Sequence, residues 1–142
     1  MTPRIWLGAG VLVLTGTLAI QVQVGASQEG TVQAGIYSTE QAERGKAIFE
    51  KICASCHTFQ PSAKSKDNPD LGGEAFLTKW DKKSVHEIAT VIYTSMPNDG
   101  SAMVSEAETA DLIAFILQQN KFPAGAQPFK WDASARKILI VK

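Results

Sequence analysis

The segment Cys53-Ala54-Ser55-Cys56-His57 places two thiols and an imidazole next to one another in the chain. The cysteines are three positions apart on a helical turn, so both can form thioethers with the vinyl groups of one porphyrin. His57 follows directly and can then bind the iron. The spacing Cys-x-x-Cys-His is typical of covalent haem attachment. We therefore expect one haem c, with Cys53 and Cys56 as attachment residues and His57 as an iron ligand.

Other uses of these residues explain the pattern less well. A thioredoxin-like Cys-x-x-Cys follows a strand, whereas this motif follows a predicted helix. A zinc site needs four ligands, and the spacing between His57 and His86 fits no zinc finger. A disulfide between Cys53 and Cys56 would close a very short loop and would stabilise little. None of these alternatives accounts for His57.

The second axial ligand decides between an electron carrier and a catalyst. Met96 lies in Ser95-Met96-Pro97 between two predicted helices, and proline favours an extended conformation for the residue before it. Met103 and His86 are the alternatives. We expect Met103 to pack before the next helix and His86 to face water, off the apolar stripe of its helix. Met96 is the predicted ligand, and a methionine raises the reduction potential relative to a second histidine.

The composition fits a single exported domain. The chain has 142 residues, zero formal net charge, 44% hydrophobic and 20% charged residues. Neutral charge gives no reason to expect nucleic acid or an acidic membrane surface as a partner. Both cysteines lie in the attachment motif, so we expect haem to supply the cross-link that a disulfide often supplies in small exported domains.

Residues 1–26 are predicted to be a signal peptide. Arg4 gives a positive start, residues 5–20 are almost entirely apolar, and residues 24–26 suit a signal peptidase. Cleavage after these residues predicts a periplasmic protein with no membrane span. The alternative is an uncleaved anchor that keeps the protein at the membrane, although the apolar run is shorter than the ~20 residues that span a bilayer.

Helix signals predict an all-α domain at residues 38–127. Capping boxes at Ser38, Ser84 and Ser105 each precede a helical apolar period. A loop over 58–73 and a short helix over 74–80 lie between the first two of these helices. Residues 27–37 lack a period and predict a flexible lead-in. The tail, 128–142, is expected to pack on the domain or to serve in docking.

Together these features resemble the class I c-type cytochromes over about residues 38–127. The resemblance implies a cytochrome c fold, with about four helices around one haem and with the first and last helices crossing. In that family a glycine and an aromatic residue of the first helix meet an aromatic residue of the last. Gly45, Phe49 and Phe115 occupy the matching positions.

Two further segments resemble cytochromes that serve periplasmic quinoprotein dehydrogenases and related oxidoreductases. They are Leu71-Gly72-Gly73-Glu74-Ala75-Phe76 followed by Trp80, and residues 115–125. The resemblance implies that Pro69, Leu71 and Phe76 contact the haem and that Trp80 hydrogen-bonds a propionate or is simply buried. These relatives usually have a proline-glycine turn after Met-Pro, whereas this chain has Asn-Asp-Gly-Ser-Ala at 98–102, which leaves the partner open.

The expected function is single-electron transfer without catalysis of its own. We expect the protein to relay electrons between a dehydrogenase or other reductase and a terminal oxidase of a respiratory chain. It would act as a monomer or as a small subunit of an oxidoreductase complex. The alternative is a haem enzyme or gas-binding sensor with an open sixth iron position, for which we find no histidine or arginine placed as a distal group.

Overall fold

The computed structural model describes residues 30–142, except the side chains of Ala63 and Ser65. The predicted signal peptide at 1–26 and the first residues of the lead-in lie outside this range. Within the described residues, no helix has the length and apolar composition needed to cross a membrane.

Four α-helices form the body of the molecule, as predicted for an all-α protein. They are α1 (Thr39–Ile48), α2 (Gly73–Trp80), α3 (Val85–Ser95) and α4 (Glu106–Gln119). A π-helical turn, Phe49–Cys53, continues α1, and short 3-10 helices cover Val32–Ala34, Ala63–Lys66 and Ala133–Lys137. Two short strands, β1 (Gly30–Thr31) and β2 (Ile138–Leu139), pair in parallel and join the two ends of the described chain.

The starts of α3 and α4 confirm the predicted capping boxes. At each start the cap serine, Ser84 or Ser105, accepts a hydrogen bond from the third helical N–H, and the glutamate at that position accepts one from the serine backbone N–H. At α1, Ser38 Oγ accepts from Gln41 N at 3.3 Å, but the Gln41 side chain does not complete the box. It binds the backbone of Phe129 instead, so the capping-box prediction for α1 is only half right.

Helices α1 and α4 cross at Gly45, as the family resemblance implies. A Cβ on Gly45 would overlap the carbonyl oxygen of Asp111 and would lie 2.9 Å from Cβ of Phe115. The rings of Phe49 and Phe115 pack with centroids 5.4 Å apart. Arg44 joins the same crossing through two hydrogen bonds to the Asp111 carboxylate, at 2.8 and 2.9 Å. Glycine is therefore required for this close helix contact.

The prediction of a flexible lead-in is wrong over residues 30–37. Val32, Ile36 and Tyr37 are almost fully buried, and Tyr37 Oη donates a hydrogen bond to the carbonyl of Phe122 at 2.7 Å. These residues join the main hydrophobic core. The segment has no helical or strand period because it consists of the two-residue strand β1, a 3-10 turn and irregular chain. It is buried by contacts with distant residues.

The tail packs on the domain. Phe129, Ala135, Ile138 and Ile140 lie in the same core as the lead-in. Both polar atoms of the Gln41 side chain hold the Phe129 backbone, with Nε2 donating at 3.0 Å and Oε1 accepting at 2.7 Å. The chain ends beside α2, where Lys142 Nζ lies 2.8 Å from a carboxylate oxygen of Glu74. The tail is thus an integral part of the fold.

Candidate haem site

Two adjoining cavities lie between the Cys-x-x-Cys-His segment, α3 and α4. Their volumes are about 150 and 100 Å³, and six residues line both of them: Cys53, His57, Pro69, Ile92, Met96 and Leu112. Close-packed protein interiors contain few voids larger than a water molecule. The smaller cavity has an almost wholly apolar lining, and His57 lines both cavities. The two cavities together therefore suit a large apolar group with one polar centre.

The π-helical turn brings the chain from α1 into the attachment motif. At the end of this turn, which is wider than a turn of α-helix, Ala54 N donates a hydrogen bond to Phe49 O at 2.9 Å. Cys56 N and His57 N then both donate to the carbonyl of Cys53, at 3.1 and 2.9 Å. These bonds hold Cys53, Cys56 and His57 in a single turn. π-Helical turns are rare and occur often at functional sites. The apolar period of residues 42–52 does not indicate this one.

A hydrogen bond to the backbone fixes the imidazole of His57. Its Nδ1 lies 2.8 Å from the carbonyl oxygen of Pro69. A carbonyl can only accept, so Nδ1 carries the proton and Nε2 keeps its lone pair for a metal. Pro69 therefore contributes its carbonyl to the site, in addition to lining both cavities as the resemblance implied. The backbone partner of His57 could not be read from the sequence.

The environment of the cysteines does not match a dithiol redox site. Burial, and to a smaller extent the neighbouring Cys56, raises the pKa of the Cys53 thiol to about 11. Reactive Cys-x-x-Cys thiols have a lowered pKa instead. Both cysteines are free of disulfides, and no three His, Cys, Asp or Glu side chains within residues 30–142 converge as a metal site.

The three candidates for the second axial ligand are in different environments. Met96 lines both cavities together with His57, in the extended conformation predicted before Pro97. Met103 lines neither cavity and is 94% exposed, so the expectation that it packs is wrong. His86 lines neither cavity, and its Nδ1 accepts a hydrogen bond from Trp131 Nε1 at 3.0 Å. It is half-buried under the tail, so the expectation that it faces water is also wrong.

The remaining predicted contact residues divide between the two cavities. Cys56 lines the larger cavity, whereas Leu71, Phe76 and Trp80 line the smaller one. Trp80 is only 7% exposed, so it is both a core residue and a wall of the cavity.

Sequence reasoning missed several residues that shape the site. Ile92 and Leu112 line both cavities, but on the apolar faces of α3 and α4 they look like ordinary core positions. Phe59, from the loop after the motif, packs against Phe49 and Phe115 with ring centroids 4.9 and 5.3 Å apart. Lys79 also lines the smaller cavity, although its position in the sequence does not indicate this.

Comparison with known families identifies the type of protein. The sequence model of the family described as cytochrome c oxidase, cbb3-type, subunit III matches residues 40–116, more than half of the chain. The chain belongs to this family of c-type cytochromes. No solved structure matches it. The cytochrome therefore carries covalently bound haem c and transfers electrons, and the family match includes the attachment motif and Met96.

The cavity residues of this cytochrome fit such a haem. Cys53 and Cys56 lie on one turn beside the cavities, and His57 has its Nε2 lone pair available. The largely apolar walls of the smaller cavity suit the porphyrin ring, because burial of apolar surface is favourable.

Proposed function

We propose that this cytochrome is a periplasmic single-electron carrier whose haem iron has His57 and Met96 as axial ligands. Cys53 and Cys56 would hold the haem covalently. The observation that carries the proposal is that His57 and Met96 line the same two cavities, whereas Met103 and His86 line neither. When bound, the haem supplies a reversible one-electron couple at its iron.

The surrounding residues suit electron transfer without bond chemistry. The Pro69 carbonyl orients His57 and fixes the tautomer of its ring. The neutral sulfur of Met96 favours ferrous iron relative to a second imidazole and so raises the reduction potential. The apolar walls, including Ile92 and Leu112, keep water from the site. With both axial positions filled, oxygen and peroxide have no place to bind.

The proposed partners are redox proteins. The matched family is described as subunit III of a cbb3-type cytochrome c oxidase, which supports a terminal oxidase as electron acceptor. The resemblance of residues 71–80 and 115–125 to cytochromes of quinoprotein dehydrogenases supports a dehydrogenase, or another reductase, as donor. The protein would act as a free carrier or as a small subunit of such a complex, exported by the signal peptide at residues 1–26.

Low-temperature electron paramagnetic resonance and magnetic circular dichroism of the ferric protein test the ligand pair. We expect the signature of one imidazole and one thioether. The Met96→His variant should change to a bis-histidine signature, whereas Met103→Ala, a change at an exposed side chain, should keep the wild-type spectrum. A signature of water in the wild-type protein would refute the proposal and favour the enzyme or sensor alternative. A signature of a second histidine would refute Met96 as the ligand.

A further inference from the structure

The chain segment that carries Pro69 is held in place by hydrogen bonds rather than by burial. Pro69 itself is exposed, and so are residues 60–67 wherever their side chains are described. Its carbonyl oxygen nevertheless lies 2.8 Å from Nδ1 of His57. The groups that fix this carbonyl must therefore be sought in the residues that follow Pro69 in the chain.

Both polar groups of the Leu71 backbone are bound by residues outside this segment. The Leu71 N–H donates to the carbonyl of Thr58 at 2.8 Å, and the Leu71 carbonyl accepts from Nδ2 of Asn120, also at 2.8 Å. The Thr58 hydroxyl donates to Oδ1 of Asp70 at 2.8 Å. These bonds attach the two residues after Pro69 to the end of the attachment motif on one side and to the end of α4 on the other.

The Asn120 side chain makes the link to α4. Its Nδ2 also donates to the carbonyl of Ile116 at 2.9 Å, so both of its N–H donors are used. Both partners are carbonyls, which can only accept, so the nitrogen of the amide and not its oxygen faces them. Ile116 and Leu71 both line the smaller cavity. One amide thus connects two walls of the proposed haem site.

The oxygen of the same amide contributes no hydrogen bond. Oδ1 of Asn120 is buried and has no hydrogen-bond partner within residues 30–142. An unpaired buried acceptor costs free energy. Asparagine is therefore favoured at this position by the two carbonyls that it binds, and not by the surroundings of its own oxygen.

We propose that Asn120 and Thr58 are positioning residues for the iron ligand. They hold the Leu71 backbone and thereby keep the Pro69 carbonyl on His57. The inference rests on the proposed role of His57 at the iron. A carbonyl that accepts from Nδ1 places the negative end of its dipole near the iron and favours the ferric state, which carries one positive charge more. Asn120 therefore influences the reduction potential through the backbone that it binds.

Nuclear magnetic resonance of the ferrous haem-loaded protein tests this role, because low-spin ferrous haem is diamagnetic and the Nδ1–H of His57 gives its own signal. Asn120→Leu keeps the approximate size of the side chain but removes both donors. We expect hydrogen exchange at Nδ1–H to become roughly two- to tenfold faster, the range that follows from the net contribution of one hydrogen bond. The reduction potential should rise. Thr58→Val, which loses only the hydroxyl, should shift both quantities in the same direction.

Tyr37→Phe is the matched control. It removes another buried hydrogen bond near the end of α4, from Tyr37 Oη to the carbonyl of Phe122 at 2.7 Å, which ties that end to the lead-in and not to the Pro69 segment. The control should also lower the free energy of unfolding, but should leave Nδ1–H exchange and the potential unchanged. Unchanged exchange in Asn120→Leu, or an equal acceleration in Tyr37→Phe, would overturn the proposal.

Two further outcomes are distinguishable. If Asn120→Leu fails to fold, Thr58→Val decides, because Thr58 is only half-buried and valine has nearly the same shape. In the wild-type protein, the His57 protons show the strong ring-current shift of a haem ligand only if His57 binds the iron. Absence of that shift would refute the proposed function together with this inference. A shifted wild-type signal whose exchange neither variant changes would refute this inference alone.

Discussion

His57 owes its orientation to a residue twelve positions further along the chain. The Pro69 carbonyl oxygen, 2.8 Å from Nδ1 of His57, fixes the tautomer of the imidazole and leaves Nε2 able to bind a metal. The motif predicts which side chain binds iron, because thiols and imidazole at this spacing have few other uses. It does not predict the acceptor, because any loop carbonyl has the same chemistry and only the fold selects one.

Removal of the proposed methionine ligand should change the redox behaviour. Met96→Ala leaves the sixth iron position to water, a harder ligand that favours ferric iron. We expect the reduction potential to fall by on the order of 0.1 V or more, as measured by redox titration. Met103→Ala is the control, since this side chain is 94% exposed and should leave the potential unchanged. Equal potentials for Met96→Ala and the wild-type protein would show that Met96 is not a ligand.

At the scale of elements, local signals predict helix starts well and helix contacts less well. In the capping boxes at Ser84 and Ser105, the two partners are only three residues apart, so the local sequence is sufficient to predict them. Gln41 has the same spacing from Ser38, but its amide binds the buried backbone of Phe129. Burial of that distant backbone decides the outcome, since unpaired buried polar groups cost about 1–3 kcal/mol each.

The crossing of α1 and α4 should not tolerate a larger residue at Gly45. In Gly45→Ala the new Cβ meets the backbone carbonyl of Asp111, which cannot move without separating the helices. We expect a loss of about 1–3 kcal/mol in the free energy of unfolding of the haem-loaded protein, measured with denaturant. The neighbouring exposed change Lys46→Ala should stay within about 0.5 kcal/mol of wild type. A Gly45→Ala variant as stable as this control would contradict the described crossing.

At the scale of the whole molecule, the cytochrome domain is closed by two segments outside its predicted bounds of 38–127. Packing of the tail was one of two predicted outcomes, whereas packing of the lead-in was not predicted. The lead-in and the tail share one core through residues such as Val32, Tyr37, Phe129 and Ile140. These residues lie in a 3-10 turn or in irregular chain, where apolar positions follow no period. The all-α class and the covalently bound haem c could be predicted because they depend on local patterns, whereas the cavity walls and this closure depend on contacts between distant residues.

The docking of the tail on α3 should depend on pH. His86 Nδ1 accepts the hydrogen bond of Trp131, which a protonated imidazole cannot do. Burial, and then the charge of Arg136, lowers the pKa of His86, against a smaller opposing effect of Glu87. The unfolded chain therefore binds the proton more readily, so this contribution to stability is complete above the ordinary histidine pKa and is lost as the pH falls through the lowered one.

Thermal unfolding across this acidic range tests the effect. The wild-type protein should lose Tm relative to His86→Gln as the pH falls, because glutamine takes up no proton at this position. The advantage of the wild-type protein at neutral pH should therefore shrink or reverse. Lys130→Gln, an exposed change in the tail, should follow the wild-type pH profile. A constant difference between wild type and His86→Gln at every pH would show that His86 does not titrate in this contact.

The reaction of the reduced wild-type protein with carbon monoxide tests most directly whether the molecule is an electron carrier. Carbon monoxide needs a vacant iron position, and in our account His57 and Met96 fill both. We predict that the absorption spectrum of the ferrous protein stays unchanged on addition of the gas, while Met96→Ala binds it readily. Rapid, tight binding to the wild-type protein would contradict the account and would indicate an enzyme or a gas sensor.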